Sequence, residues 1–191
     1  VPQDLKFQGE DTTAEVGDNN KIRENVTINR GTAAKGKTCV GSGNLLMESV
    51  HVAHDAFVGN DCIIGNGTKL AGEIIIDDHA IISANVLMHQ FCRVGGYTMV
   101  GGGTRFSQDI PPYTICAREP VAYCGLNLVG LRRRGFSNEL IENIHNAYRI
   151  IYQGGVPLNE ALQKVREEVP ASPEINYIIE FIENSKRGFV H

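Results

Sequence analysis

The sequence predicts a parallel β-helix followed by a C-terminal helical domain. From Val40 a bulky apolar residue returns at every sixth position: Val40, Leu46, Val52, Val58, Ile64, Leu70, Ile76, Ile82, Met88, Val94, Val100 and Phe106. From Ser137 apolar residues recur instead at three and four, the helical spacing. Between the two patterns lies Ile110-Pro111-Pro112-Tyr113, which interrupts the first.

The hexad excludes the ordinary alternatives. The place after the bulky residue is small in Gly41, Ala53, Gly59, Gly65, Ala71, Ser83, Gly95, Gly101 and Ser107. The place four after it is small or β-branched in Val50, Ala56, Cys62, Thr68, Ala80, Thr98 and Thr104. A helix interior does not carry this many glycines, and a strand meander alternates with period two. A fixed hexad builds a solenoid in which each repeat gives one short strand and one corner. Three hexads close a triangular coil, successive coils rise by about 4.8 Å, and residues eighteen apart stack.

In chain order, Val1 to Thr13 is polar and irregular and reads as a loop. The hexad phase extends back through Ile28, Ile22 and Val16, so further coils are expected upstream of Val1. Ala33 to Thr38 loses the apolar content but keeps the phase, as an exposed loop of the solenoid would. The repeat is expected to end at Ile110 to Tyr113, because proline cannot donate to a ladder. A first helix starts at an N-cap Ser137, carries Leu140, Ile141, Ile144, Ala147, Tyr148 and Ile151, and stops at Gly154-Gly155. A second follows Asn159 with Leu162 and Val165. A third follows Ser172-Pro173, with proline in its first turn, and carries Ile175, Ile178, Ile179 and Ile182. The expected division is a solenoid over 1–115 and a segment with three helices over 116–191.

Composition narrows the function classes. No long uncharged apolar run could span a membrane, and V-P-Q-D-L-K lacks the form of a signal peptide. The formal net charge of −4 argues against nucleic acid, and Arg132-Arg133-Arg134 is too short a basic run to reverse that. The five cysteines show no C-x-x-C spacing, which fits a reducing cytoplasm. Cys62 and Cys92 fall on inward positions and read as structural.

The unusual residues lie in Leu45 to Asp55, L-L-M-E-S-V-H-V-A-H-D. A hexad needs no histidine, yet His51 and His54 stand three apart with Asp55 beside the second. Eighteen after His54 comes Gly72, and eighteen after that Gln90, next to His89. These groups therefore share one edge of the prism, with His54 and His89 about 10 Å apart along the axis. A lone histidine here would read as a satisfied corner residue; three on one edge with a carboxylate favour acid–base chemistry. A three-histidine zinc site drawn from His51, His54, His89 or His79 ranks lower, because H-V-A-H-D lacks the H-E-x-x-H arrangement and is not helical.

Taken together, N-L-L-M with H-V-A-H-D, L-A-G-E, M-H-Q-F-C, Q-D-I-P-P-Y, the Gly130 to Phe136 element and N-A-Y-R-I-I-Y resemble the UDP-N-acetylglucosamine O-acyltransferases, which open lipid A synthesis. The resemblance implies a left-handed coil and a homotrimer without metal or cofactor. It also implies transfer of an (R)-3-hydroxyacyl chain from acyl carrier protein to the 3-hydroxyl of UDP-N-acetylglucosamine. By the same resemblance His54 matches the general base, Asp55 its orienting carboxylate and Gly72 the oxyanion N–H. Asp4, Lys6, His51 and Gln90 would hold the glucosamine, and Asn127, Arg133 and Arg134 the uridine and phosphates. His89 and Gly102 would line the acyl groove, with glycine at 102 leaving room for a long chain. No serine has a base in reach and the cysteines lie mostly inward, so direct transfer without an acyl-enzyme is expected. Glu73 stands where several relatives carry histidine, and Val129 where an acidic residue is common. The competing readings are the N-acyltransferase that acts later on an acylated glucosamine, a zinc-dependent hydratase, and a scaffold without turnover.

Overall fold

A computed structural model describes residues 1–191. Its N-terminal part is a three-faced parallel solenoid. The first face stacks Thr13–Val16, Lys37–Val40, Phe57–Val58, Ile75–Ile76 and Arg93–Val94. The second stacks Lys21–Ile22, Leu45–Leu46, Ile63–Ile64, Ile81–Ile82 and Met99–Val100, then Thr114–Ala117 and the antiparallel Ala122–Leu126. The third stacks Thr27–Ile28, His51–Val52, Lys69–Leu70, Leu87–Met88 and Arg105–Phe106. We call the corners between faces one and two, two and three, and three and one the first, second and third edges.

From Val40 to Phe106 every residue of the apolar hexad is buried, and so are the small or β-branched residues four positions later. Partners eighteen apart pair in register, as in Leu45 with Ile63 and Ile81 with Met99. The corners follow the same period. Asn25, Ser49, Asp55, Asp61, Glu73, His79, Asn85, Phe91 and Tyr97 all take the left-handed conformation, with φ between 53° and 69°. Such a backbone costs a residue with a Cβ on the order of 1–3 kcal/mol, which the ladders on both sides offset.

The first coil is longer than the others. Thr13 pairs with Lys37, Lys21 with Leu45 and Thr27 with His51, so one extra hexad is inserted. It leaves the phase intact and leaves Ala33 to Gly36 exposed; Lys37 and Thr38, expected in the loop, belong to the next strand.

The expected end of the repeat is corrected. Ile110 bridges to Val94, and Thr114–Ala117 pairs in parallel with Met99–Val100. Pro111 and Pro112 sit at the intervening corner, where no ladder donor is required. The ladder therefore runs on to Ala117, across the 115/116 division.

The helices also number four rather than three. α1 (Leu128–Arg133) precedes α2 (Asn138–Gln153), α3 (Leu158–Glu168) and α4 (Pro173–Glu183). Ser137 and Ser172 cap α2 and α4 by accepting from Leu140 N and Ile175 N, and Gly154-Gly155 closes α2. α3 begins at Leu158, just ahead of the expected Asn159. The helices share a core of Leu131, Ile141, Ile144, Tyr148, Leu162, Val165, Ile175 and Phe181. Tyr148 Oη donates to Pro112 O (2.6 Å), tying α2 to the proline corner. No helix is long and apolar enough to cross a membrane.

α4 docks on the first face through a compact polar group. Arg93 donates twice to Asp77 Oδ2 (3.1 and 2.8 Å), and its guanidinium lies 4.6 Å from the Phe181 ring. Tyr177 Oη donates to the same carboxylate (2.5 Å) and accepts from Gly96 N (2.8 Å). Tyr177→Phe removes both bonds and strands the Gly96 N–H. It is expected to lower unfolding free energy by about 1–3 kcal/mol, read from chemical denaturation of the variant beside the wild type.

Candidate active site

The third edge carries His54 and His89, with His51 on the strand just before it. His51 opens a two-residue strand of the third face, and the chain turns at Ala53 to Ala56 before the next strand on the first face. Asp55 adopts φ 60° at this corner, and its N–H donates to Thr38 Oγ1 (2.8 Å). The geometry returns its carboxylate to the preceding ring, with His54 Nδ1 2.9 Å from Asp55 Oδ2. Both groups are withdrawn from water, His54 at 8% and Asp55 at 2% exposure. Burial works against the Asp55 carboxylate, but hydrogen bonds from Thr32 and His54 outweigh it and hold the group below its ordinary range. An ionised Asp55 accepts from His54 Nδ1–H, which leaves Nε2, on the Gly72 side of the ring, as the acceptor nitrogen.

Gly72 lies one coil on, in van der Waals contact with that ring. A Cβ at this position would stand 2.6 Å from both Cε1 and Nε2 of His54. Gly72 is therefore glycine for close approach and not for a left-handed turn, a distinction the sequence does not make. Its carbonyl accepts from Phe91 N, while its N–H enters no backbone bond of the coil. His54, Gly72, His51, Ala53, Lys69, Ala71 and Gln3 line one cavity of about 330 Å³.

Gln3 is a lining residue that sequence reasoning missed. It arrives because Arg30 holds the N-terminal segment against the third edge, with its guanidinium 5.0 Å from the Phe7 ring and a bond to Glu10 O (3.1 Å). Asp4 and Lys6 belong to the same segment but do not line the cavity; Asp4 Oδ1 accepts from Lys6 N. His51 does line it. Its Nδ1 is 2.7 Å from Thr27 Oγ1, and burial, then the Lys69 charge, lower its pKa and favour the neutral ring. Gln90 stacks on the same edge without lining the cavity. His89 faces a neighbouring cavity of about 420 Å³ with Arg105, Ser107 and Glu119; Leu87 and Met88 are common to both, so the two form one trough along the third face.

The other expected residues lie elsewhere on the prism. Gly102 is exposed at the second edge, its absent Cβ 3.3 Å from Ala84 O. Arg134 is at the first edge, where it donates to His79 Nδ1 (2.8 Å) and lies 5.8 Å from the Tyr97 ring. Burial, then Arg134, lower the His79 pKa, in keeping with an imidazole that accepts this bond. Asn127 is buried; it caps α1 by accepting from Gly130 N (3.2 Å) and donates to Tyr97 O (2.9 Å). Its amide is thus already engaged within the protein. Arg133 is exposed. No three His, Cys, Asp or Glu side chains converge as metal ligands. Of the two departures, Glu73 faces Lys35 at 3.9 Å, and Val129 is 60% exposed.

Residues 109–190 match the family described as Udp N-acetylglucosamine O-acyltransferase, domain 2. Over the whole of this chain the fold superposes on the solved UDP-N-acetylglucosamine acyltransferase of Bacteroides fragilis, at 73% identity and a TM-score of 0.97, covering 75% of that chain. The chain belongs to the UDP-N-acetylglucosamine O-acyltransferase family. The solved enzyme of that name from Moraxella catarrhalis is 42% identical, with a TM-score of 0.95, all of this chain covered and 74% of the other. The Arabidopsis UDP-N-acetylglucosamine acyltransferase is 34% identical, with a TM-score of 0.94, covering 100% of this chain and 70% of that one. At these scores the coil path is that of the family's solved members, and the left-handed coil implied by the resemblance goes with it.

Proposed function

We propose that this chain transfers an (R)-3-hydroxyacyl group from acyl carrier protein to the 3-hydroxyl of UDP-N-acetylglucosamine, as a cytoplasmic homotrimer at the first step of lipid A biosynthesis. The observation that carries the reading is the buried His54–Asp55 pair whose ring lies against Gly72. With Nδ1 committed to Asp55, Nε2 takes the proton of the sugar hydroxyl as its oxygen attacks the thioester carbon. The new C–O bond forms, the carbonyl pair becomes an oxyanion, and the Gly72 N–H donates to it. Collapse breaks the C–S bond, and the imidazolium returns its proton to the departing thiolate, so the enzyme ends unchanged. Burial pushes the Cys62 thiol up to about 12 and the Cys92 thiol up to about 11, which supports direct transfer over a cysteinyl intermediate.

The trimer enters because the two halves of the site lie on different edges of one protomer. His54 and Gly72 are on the third edge, Arg134 on the first. In a threefold assembly the third edge of one subunit faces the first edge of its neighbour, so Arg134 and Arg133 of one copy reach the phosphates of a sugar held at the other copy's His54. Asp4, Lys6, His51 and Gln90 then attend the glucosamine, with Asn127 building the uridine end through its backbone and α1. The trough past His89 takes the acyl chain, and glycine at 102 keeps its far end open. The test is complementation: trimers mixed from His54→Ala and Arg134→Ala subunits regain activity that neither parent has. Mixed trimers as inactive as the parents would refute the shared site.

A further inference from the structure

We propose that Thr32, on the extra hexad of the first coil, is a positioning residue for the His54–Asp55 pair. This rests on the reading of His54 as the base. Thr32 grips the Asp55 carboxylate at two points: its N–H donates to Oδ1 (2.9 Å) and its Oγ1–H to Oδ2 (2.6 Å). The direction of the second bond is fixed, because a carboxylate only accepts and the remaining capacity of the hydroxyl is used by Ala34 N (3.2 Å). Oδ2 is the same oxygen that faces His54 Nδ1. The fork therefore sets the plane of the carboxylate, and the carboxylate sets the plane of the ring. Thr32 is itself only 4% exposed, so water does not substitute for it.

The loop that delivers Thr32 is anchored on both sides. Gly31 N donates to Thr13 O, and Thr12 Oγ1 donates to Gly31 O (2.7 Å). Beyond the turn, Lys35 meets Glu73 at 3.9 Å, beside Gly72. The inserted hexad thus touches the two successive corners that hold the base and the glycine.

The test is steady-state kinetics of Thr32→Val in the intact protein, with Thr32→Ser, Asp55→Asn, His54→Ala and the Thr32→Val/Asp55→Asn pair. Valine keeps the shape and the backbone donor but loses the hydroxyl, and kcat is expected to fall about 10- to 100-fold with the KM for UDP-N-acetylglucosamine within about twofold. Serine is expected to restore kcat to within about threefold. In the Asp55→Asn background the valine change is expected to cost almost nothing further, because the two act as a unit. Should valine prevent folding, Thr32→Ala carries the same comparison. Unchanged kcat in Thr32→Val, a rise confined to KM, failure of serine to rescue, or full additivity with Asp55→Asn would overturn the proposal. A fully active His54→Ala would instead overturn the reading of the base on which it rests.

Discussion

His54→Ala is expected to lower kcat/KM for acyl transfer by at least about 10²-fold, and as far as about 10⁴-fold, while the protein keeps its fold and assembly. A sugar hydroxyl attacks a thioester only as its proton leaves, and His54 Nε2 is the acceptor that the Asp55 contact leaves free. The ring is at the corner and not in the apolar stack, so its removal opens little of the core. The cavity it lines is open to solvent and already holds polar neighbours in Gln3, His51 and Lys69. Loss of activity with an unchanged thermal transition would separate chemistry from folding. Full activity would show that His54 is not the general base.

Gly72→Ala is expected to cost about 10²–10³ in kcat, from a single added methyl group. The methyl carbon would sit 2.6 Å from two ring atoms of His54, well inside contact distance. The backbone cannot yield, since Gly72 O is held by Phe91 N and Glu73 N by His54 O. The ring must therefore swing away, which breaks its alignment with Asp55 and withdraws Nε2 from the N–H beside it. The backbone at 72 is not left-handed, so alanine is tolerated conformationally and the variant is expected to fold. Activity is measured with the same donor and acceptor, and wild-type kcat in Gly72→Ala would show that ring and glycine do not work in contact.

How far the sequence carried these expectations depended on the range of each interaction. The solenoid was legible because every hexad repeats one local decision, an inward apolar side chain followed by a corner, and the inward set from Val40 to Phe106 is buried without exception. The short α1 was not among the expected helices: it has six residues, no acidic first turn, a glycine inside it, and Arg132 and Arg133 at its end. What starts it is Asn127, whose capping role depends on Tyr97, thirty residues earlier. The final rung was missed because two prolines signal a stop, yet at a corner they cost the ladder nothing.

The site divides in the same way. His54, Asp55 and Gly72 could be found from the eighteen-residue stack, since a corner histidine has no role in a hexad. Thr32 and Gln3 could not. The stacking rule pairs Asp55 with Lys37, but the inserted hexad displaces the first coil and brings Thr32 instead, twenty-three residues away. Gln3 reaches the cavity through contacts of Arg30 that have no sequence period at all. The edge of His54 follows from its position within the eighteen, but that of Arg134 does not, because Arg134 follows α1 beyond the repeat and meets the first edge through His79 and Tyr97.

The measurement that tests the central claim most directly is the product of wild-type enzyme given (R)-3-hydroxyacyl carrier proteins of graded chain length and UDP-N-acetylglucosamine. The expected product is a single ester on the 3-hydroxyl, formed one for one with free carrier thiol and fastest with a long chain. No ester, or acyl transfer only when a glucosamine with a free amine is supplied, would contradict it.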